Sequence, residues 1–135
     1  KGIHVFGNLE TPVHAQNIEQ IIKHIKFTFN EPYIIAIDAC LGTLHNVGYV
    51  ILDRTSIIPG AALNKNIPPI GDLSIIGIVN ITGSCDFFVL QNTRLYTVML
   101  LADIISTSLY HAVLKSVGGK KNSESIATTC VNLTV

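Results

Sequence analysis

The chain has 135 residues, which is about one domain. Hydrophobic residues make up 48% and charged residues only 13%, well below the usual quarter, so a disordered chain, a coiled coil and a supercharged tail are excluded. Nine basic and nine acidic side chains cancel, so no global charge favours nucleic acid or an anionic membrane. A chain this apolar and neutral buries residues on both faces of a sheet or in a contact between subunits, and a homo-oligomer is expected.

In chain order, Ile3–Phe6 reads as a short strand ended by Gly7-Asn8. Thr11-Pro12 has the form of a helix N-cap followed by a first-turn proline. Ile18, Ile21, Ile22, Ile25 and Phe29 then form one apolar stripe at helical spacing, and Glu31-Pro32 stops it. Tyr33–Asp38 is a continuous apolar run of strand length, as in the centre of a parallel sheet covered on both faces. The strand–helix–strand order predicts a right-handed βαβ unit. Val47–Leu52 and Ser56–Ile58 around Asp53-Arg54 read as a hairpin. The segment 61–71, with Asn64, Lys65 and Asn66 between prolines and glycines, reads as a functional or mobile loop.

Leu73–Val79 is a second buried strand, ending at Asn80, and Asn92-Thr93 caps a long helix from about Arg94 to Ser116. That helix is apolar, but Thr97, Asp103, Ser106, Thr107, Ser108 and His111 interrupt it. It is therefore read as a buried core helix and not as a membrane span. Residues 1–119 form one α/β domain in this reading, and 120–135 are a tail or an added edge strand. The opening at Lys1, almost directly in a strand, points to residues upstream. Cys40, Cys85 and Cys130 are odd in number and widely spaced, with no CxxC pair, which favours reduced thiols in a cytoplasmic setting.

The strand ends carry the candidate chemistry. Asp38 and Asn80 terminate apolar strands, and Asn8 follows the first strand. If these strands are parallel, the three side chains meet at the carboxyl edge, where open α/β sheets bind ligands. A carboxyl there is partly desolvated and suits general acid or base work. The bland alternative is that Asp38 accepts hydrogen bonds from the turn that follows it. Cys40 as a nucleophile would need a neighbour such as His14 or His45 to lower its pKa, and a small residue at a strand exit is the simpler reading. No HxH or HExxH pattern calls for a metal, and no cofactor is expected. His14, Lys65, Asn92 and Arg94 are further candidates for binding substrate. The last two open the long helix, where free N–H groups and a guanidinium suit a carboxylate or oxyanion. A glycine-rich nucleotide motif, a P-loop, GxSxG and a basic–aromatic stripe are all missing from the sequence, which leaves nucleotide and nucleic-acid binding without support.

Six segments together resemble one family: Gly7–Asn17 (GNLETPVHAQN), Ile34–Gly42 (IIAIDACLG), Pro59–Lys65 (PGAALNK), Pro68–Asp72 (PPIGD), Gly77–Gly83 (GIVNITG) and Val89–Leu95 (VLQNTRL). They look like the YyaC-type sporulation proteins of spore-forming Firmicutes, which are similar to the germination protease that degrades small acid-soluble spore proteins. The match runs from about Gly2 to Gly119. The resemblance implies an α/β fold of the phosphorylase/hydrolase type, a three-layer sandwich around a mostly parallel sheet with the hairpin added. It also implies a role in sporulation or germination, in the forespore or spore core, on a protein or peptide substrate. The germination protease is regarded as an atypical aspartic peptidase with two acids on different strand ends. Asp38 matches the second of these. The motif of the first, Asp-Ser/Ala-Leu-Gly-Pro, does not occur in this sequence, so one half of a two-carboxylate pair is missing from it. A non-catalytic assembly module on the same fold and a metal-dependent endopeptidase of the hydrogenase-maturation kind are the alternative readings.

Overall fold

The computed structural model describes residues 2–59, 67–83, 85–118 and 128–132, with 117–118 and 128–132 as backbone only. The apolar stripe forms α1 (Ile18–Thr28), between the strands β1 (His4–Phe6) and β2 (Tyr33–Gly42). A 3-10 turn (Leu44–Asn46) leads to β3 (Val50–Asp53), followed by β4 (Leu73–Ile81). Two helices, α2 (Asp86–Gln91) and α3 (Leu95–Gly118), and the strand β5 (Thr128–Asn132) complete the chain order. The sheet is mixed and open, in the order β1-β5-β2-β4-β3. β2 and β4 pair in parallel, as do β2 with β5 and β1 with β5, while β3 runs antiparallel to β4.

The alternation along β2 assigns its two faces. Ile34 joins Val13, Ile18, Ile25, Ile67 and Ile70 in a cluster beneath α1. Its neighbour Ile35 packs with Ile75 and Ile105 beneath α3. Successive side chains of a strand point to opposite faces, so helices lie on both sides of β2, as its unbroken apolar run requires.

Several expectations are corrected by this arrangement. The helix begins at Ile18, not at Thr11-Pro12. Asn8 takes up Thr11 instead, accepting hydrogen bonds from its N–H (2.6 Å) and its hydroxyl (3.0 Å). Asn17 then closes the turn ahead of the helix, accepting from the N–H of His14 (2.8 Å) and donating to the carbonyl of Pro12 (3.0 Å). The expected hairpin between Val47–Leu52 and Ser56–Ile58 does not form. β3 pairs with β4, and Ile57 instead exchanges both backbone hydrogen bonds with Ile70 (2.9 and 2.8 Å). The long, buried β4 offers β3 a ladder that a short neighbouring segment cannot match. Residues from the expected tail or edge strand form β5, an interior strand between β1 and β2. A central strand needs partners on both edges, and β5 supplies the second partner of β2.

The long helix is correct in extent but not in burial. Among the described side chains of α3 only Leu101 and Ile105 are buried, and Gly77 of β4 lies beneath them. Tyr96, for example, is 76% exposed. By length and composition, Leu95–Ser116 is also apolar enough to cross a membrane.

Candidate functional site

Asp38 sits inside β2, beside Ile76 of β4. On its other side the described ladder with β5 runs to Ile37, paired with Asn132. β1 stops one residue earlier, at the level of Ala36, since Phe6 pairs with Val131, and Val131 with Ala36. Asp38 thus lies two residues beyond the level at which β1 ends, and β2 continues beside β4 as far as Gly42. By alternation its side chain shares the face of Ile34 and Ala36.

The carboxyl is partly buried, and its one hydrogen bond among the described residues is accepted from the N–H of Ala39 (2.8 Å). Burial raises its pKa to about 7, against the smaller lowering effect of that N–H. Such a group exchanges protons near neutrality. Two residues on, burial and then the nearby Asp38 charge push the thiol of Cys40 upward. A nucleophilic cysteine needs the opposite shift, so Cys40 serves here as a packed thiol.

The other candidates do not gather around Asp38. Asn80 pairs with Leu41, beyond a register shift that follows Cys40. It lies four residues further along β4 than the partner of Asp38, roughly 13 Å at strand rise. Its amide ties α2 and the turn after it to β4, donating to the carbonyl of Val89 (3.4 Å) and the hydroxyl of Thr93 (3.3 Å), while its oxygen accepts from Ile81 N–H (2.9 Å). Asn8 follows a strand two positions from β2, about 10 Å away at the usual spacing, and its oxygen is occupied by Glu10 and Thr11. His14 lies in the turn before α1, its Nδ1 accepting from Gln16 N–H (3.2 Å). Asn92 donates to the carbonyl of Phe88 (2.7 Å) and closes α2. Arg94 is exposed between the two helices. Lys65 lies outside the described residues. The expected meeting of Asp38, Asn80 and Asn8 is therefore not formed, and each asparagine hydrogen-bonds within its own turn region. We predict that Asn8→Ala lowers stability by ~1 kcal/mol in a urea melt, from the loss of a loop acceptor.

A carboxylate not singled out from the sequence has a clear task. Asp72 accepts the N–H of Ile34 (2.7 Å) and donates its own N–H to the carbonyl of Ile34 (2.8 Å), joining the starts of β2 and β4. It also lines a cavity of about 240 Å³ with Lys26, Pro32, Ile34, Pro69 and Gly71. This cavity is at the amino ends of β2 and β4, away from Asp38. The PPIGD segment was the available signal, but nothing in it indicates which rim it reaches. Among the described residues, no three of His, Cys, Asp and Glu stand together as a metal ligand set.

Comparison with known proteins places this arrangement. The family model described as "Protein of unknown function (DUF1256)" matches residues 1–108. The chain belongs to the DUF1256 family. The uncharacterized protein YyaC of Bacillus subtilis (strain 168) is 44% identical over 106 residues, covering 78% of this chain and 52% of that protein. The chain thus spans about half the length of this relative. No solved structure matches.

Proposed function

We propose that this DUF1256 protein is a peptidase-type hydrolase of the forespore or spore core, with Asp38 exchanging the proton during peptide cleavage. What supports this reading is a half-buried carboxyl, its pKa raised by burial to about 7, placed two residues beyond the level at which β1 ends. The six-segment resemblance to the germination-protease relatives supports it, and with it a three-layer fold of the phosphorylase/hydrolase type. A two-carboxylate mechanism also needs an acid that activates water. The resemblance puts that acid in a motif that these 135 residues do not contain. The test is cleavage of small acid-soluble spore proteins by the parent protein and by Asp38→Asn. Cleavage should fall at least ~100-fold in the variant, the usual scale of general acid–base catalysis. Equal cleavage by both, or none by either, removes the reading.

A non-catalytic assembly module on the same fold is the second reading, favoured by the exposed apolar face of α3. The absence of cleavage from both proteins selects it.

A further inference from the structure

The cavity at the amino ends of β2 and β4 carries two opposite charges that do not pair. Its volume is about 240 Å³. Ile34 and Ile70 are buried and Ile22 is half-buried, and these three isoleucines form an apolar floor. Lys26 and Asp72 are exposed and stand at the mouth. Lys26 follows Ile22 by one turn of α1, so the helix presents an apolar side chain and a cation to the same space. Asp72 commits Oδ2 to the N–H of Ile34 (2.7 Å), which fixes the carboxylate and leaves Oδ1 without a partner among the described residues. Among the same residues the Lys26 ammonium makes no ion pair.

We infer that this cavity binds a free α-amino acid with an aliphatic side chain, its ammonium on Asp72, its carboxylate on Lys26 and its side chain on the isoleucines. The charges select against simpler ligands. An anion would meet Asp72 as well as Lys26, and a cation would meet Lys26 as well as Asp72. An uncharged apolar molecule would take water from both charges and return no partner. A zwitterion with an apolar tail satisfies all three surfaces, with a charge-assisted hydrogen bond at each end to fix its orientation. The size agrees. The cavity is smaller than the ~300 Å³ at which pockets for drug-sized ligands begin, which suits a molecule of leucine's size and excludes a nucleotide. The carboxylate of Asp72 is already held in place, so less ordering opposes binding. Asp38 is four residues along β2 from Ile34, roughly 13 Å at strand rise, so a ligand here does not touch it and the inference does not rest on catalysis.

The test is titration of the isotope-labelled chain with L-leucine, followed through its amide NMR signals. Lys26, Gly71 and Asp72 should shift together and saturate, with a dissociation constant of about 1 mM or below. Two analogues each remove one charge: isoamylamine lacks the carboxylate, and isocaproate lacks the ammonium. Each should bind at least ~10-fold more weakly, the scale of one hydrogen bond to a charged group. Glycine, which has no aliphatic tail, should also bind more weakly. Lys26→Met keeps an apolar stem at an exposed helical position, so its urea melt should match the parent while leucine binding falls at least ~10-fold. Asp72→Asn keeps an acceptor for the Ile34 N–H and should weaken leucine binding to the same degree. The analogue series needs no variant and holds even if Asp72→Asn fails to fold. Absence of a saturable shift at roughly 20 mM leucine, well above the expected constant, overturns the inference. So do shifts confined to another part of the chain, an analogue that binds as tightly as leucine, or undiminished binding in Lys26→Met.

Discussion

Asp38→Asn should stabilise the folded chain at pH 8 and leave it nearly unchanged at pH 4. The folded carboxyl titrates at about 7, because burial penalises its charged form more than the Ala39 N–H supports it, against an ordinary value of 3.8. Between these two values the folded chain holds a proton that the unfolded chain has released. Stability therefore falls as pH rises through this window. The contribution of the protonated acid is complete below the unfolded value, and the loss is complete above about 7. A shift of this size corresponds to at most ~4 kcal/mol, and less where solvent reaches the group. Asparagine keeps an acceptor for Ala39 and cannot ionise, so the variant should run flat across the window while the parent declines by ~2–4 kcal/mol. Urea melts at pH 4, 6 and 8 measure the difference. Parallel curves would mean that the carboxyl titrates alike in the folded and unfolded chain, and the proton-exchange reading would lose its basis. A second readout lies two residues away. Because the Asp38 charge is one of the two causes raising the Cys40 thiol, thiol-reagent reactivity at position 40 should set in at lower pH in the variant.

The contrast between Asp38 and its expected partners shows what could be read from the residues and what could not. The isoleucine stripe of α1 and the apolar runs of β2 and β4 state their own periodicity, and these elements form as expected. Parallel pairing of β2 with β4 follows from the same runs, because strands buried on both faces have few other arrangements. Register is different. Whether Asp38 lies level with Asn80 depends on how far β2 continues and on the shift after Cys40, and neither leaves a local mark. Long-range partners are equally silent. Ile57 pairs with Ile70 rather than with its neighbours, and β5 inserts into the sheet from a Ser/Thr-rich segment of modest strand character. The separation of the asparagines from Asp38 was hidden for a related reason. Asn8 and Asn80 look like site residues because a polar group follows an apolar strand, yet this is also where a chain needs side-chain acceptors and donors to turn. In α3 the composition makes a helix unmistakable. With apolar residues all around, however, it cannot say which side meets the sheet.

Gly71→Ala should cost ~2–5 kcal/mol of folding stability, the sum of a backbone and a packing penalty. Gly71 has φ +97°, on the side of the map that residues with a Cβ avoid. An added Cβ would stand 2.9 Å from the Cβ of Ala36 and 3.1 Å from the carbonyl oxygen of Leu73. Neither can yield cheaply. Ala36 is fully buried in β2, and Leu73 opens the strand paired with it. The same turn carries Asp72, whose side chain and N–H both bind Ile34, and Ile70, which holds Ile57, so a displaced backbone disturbs contacts on both sides. Gly48 supplies the control. Its φ is +90°, but an added Cβ would meet nothing within 4 Å. Gly48→Ala should therefore pay only the backbone part, ~1–2 kcal/mol. Urea melts of the two variants separate strain from crowding: a loss at position 71 at least twice that at position 48 is expected. Equal losses would show that the turn before β4 does not press on Ala36, and that the start of β2 and β4 is held by the Asp72 hydrogen bonds alone.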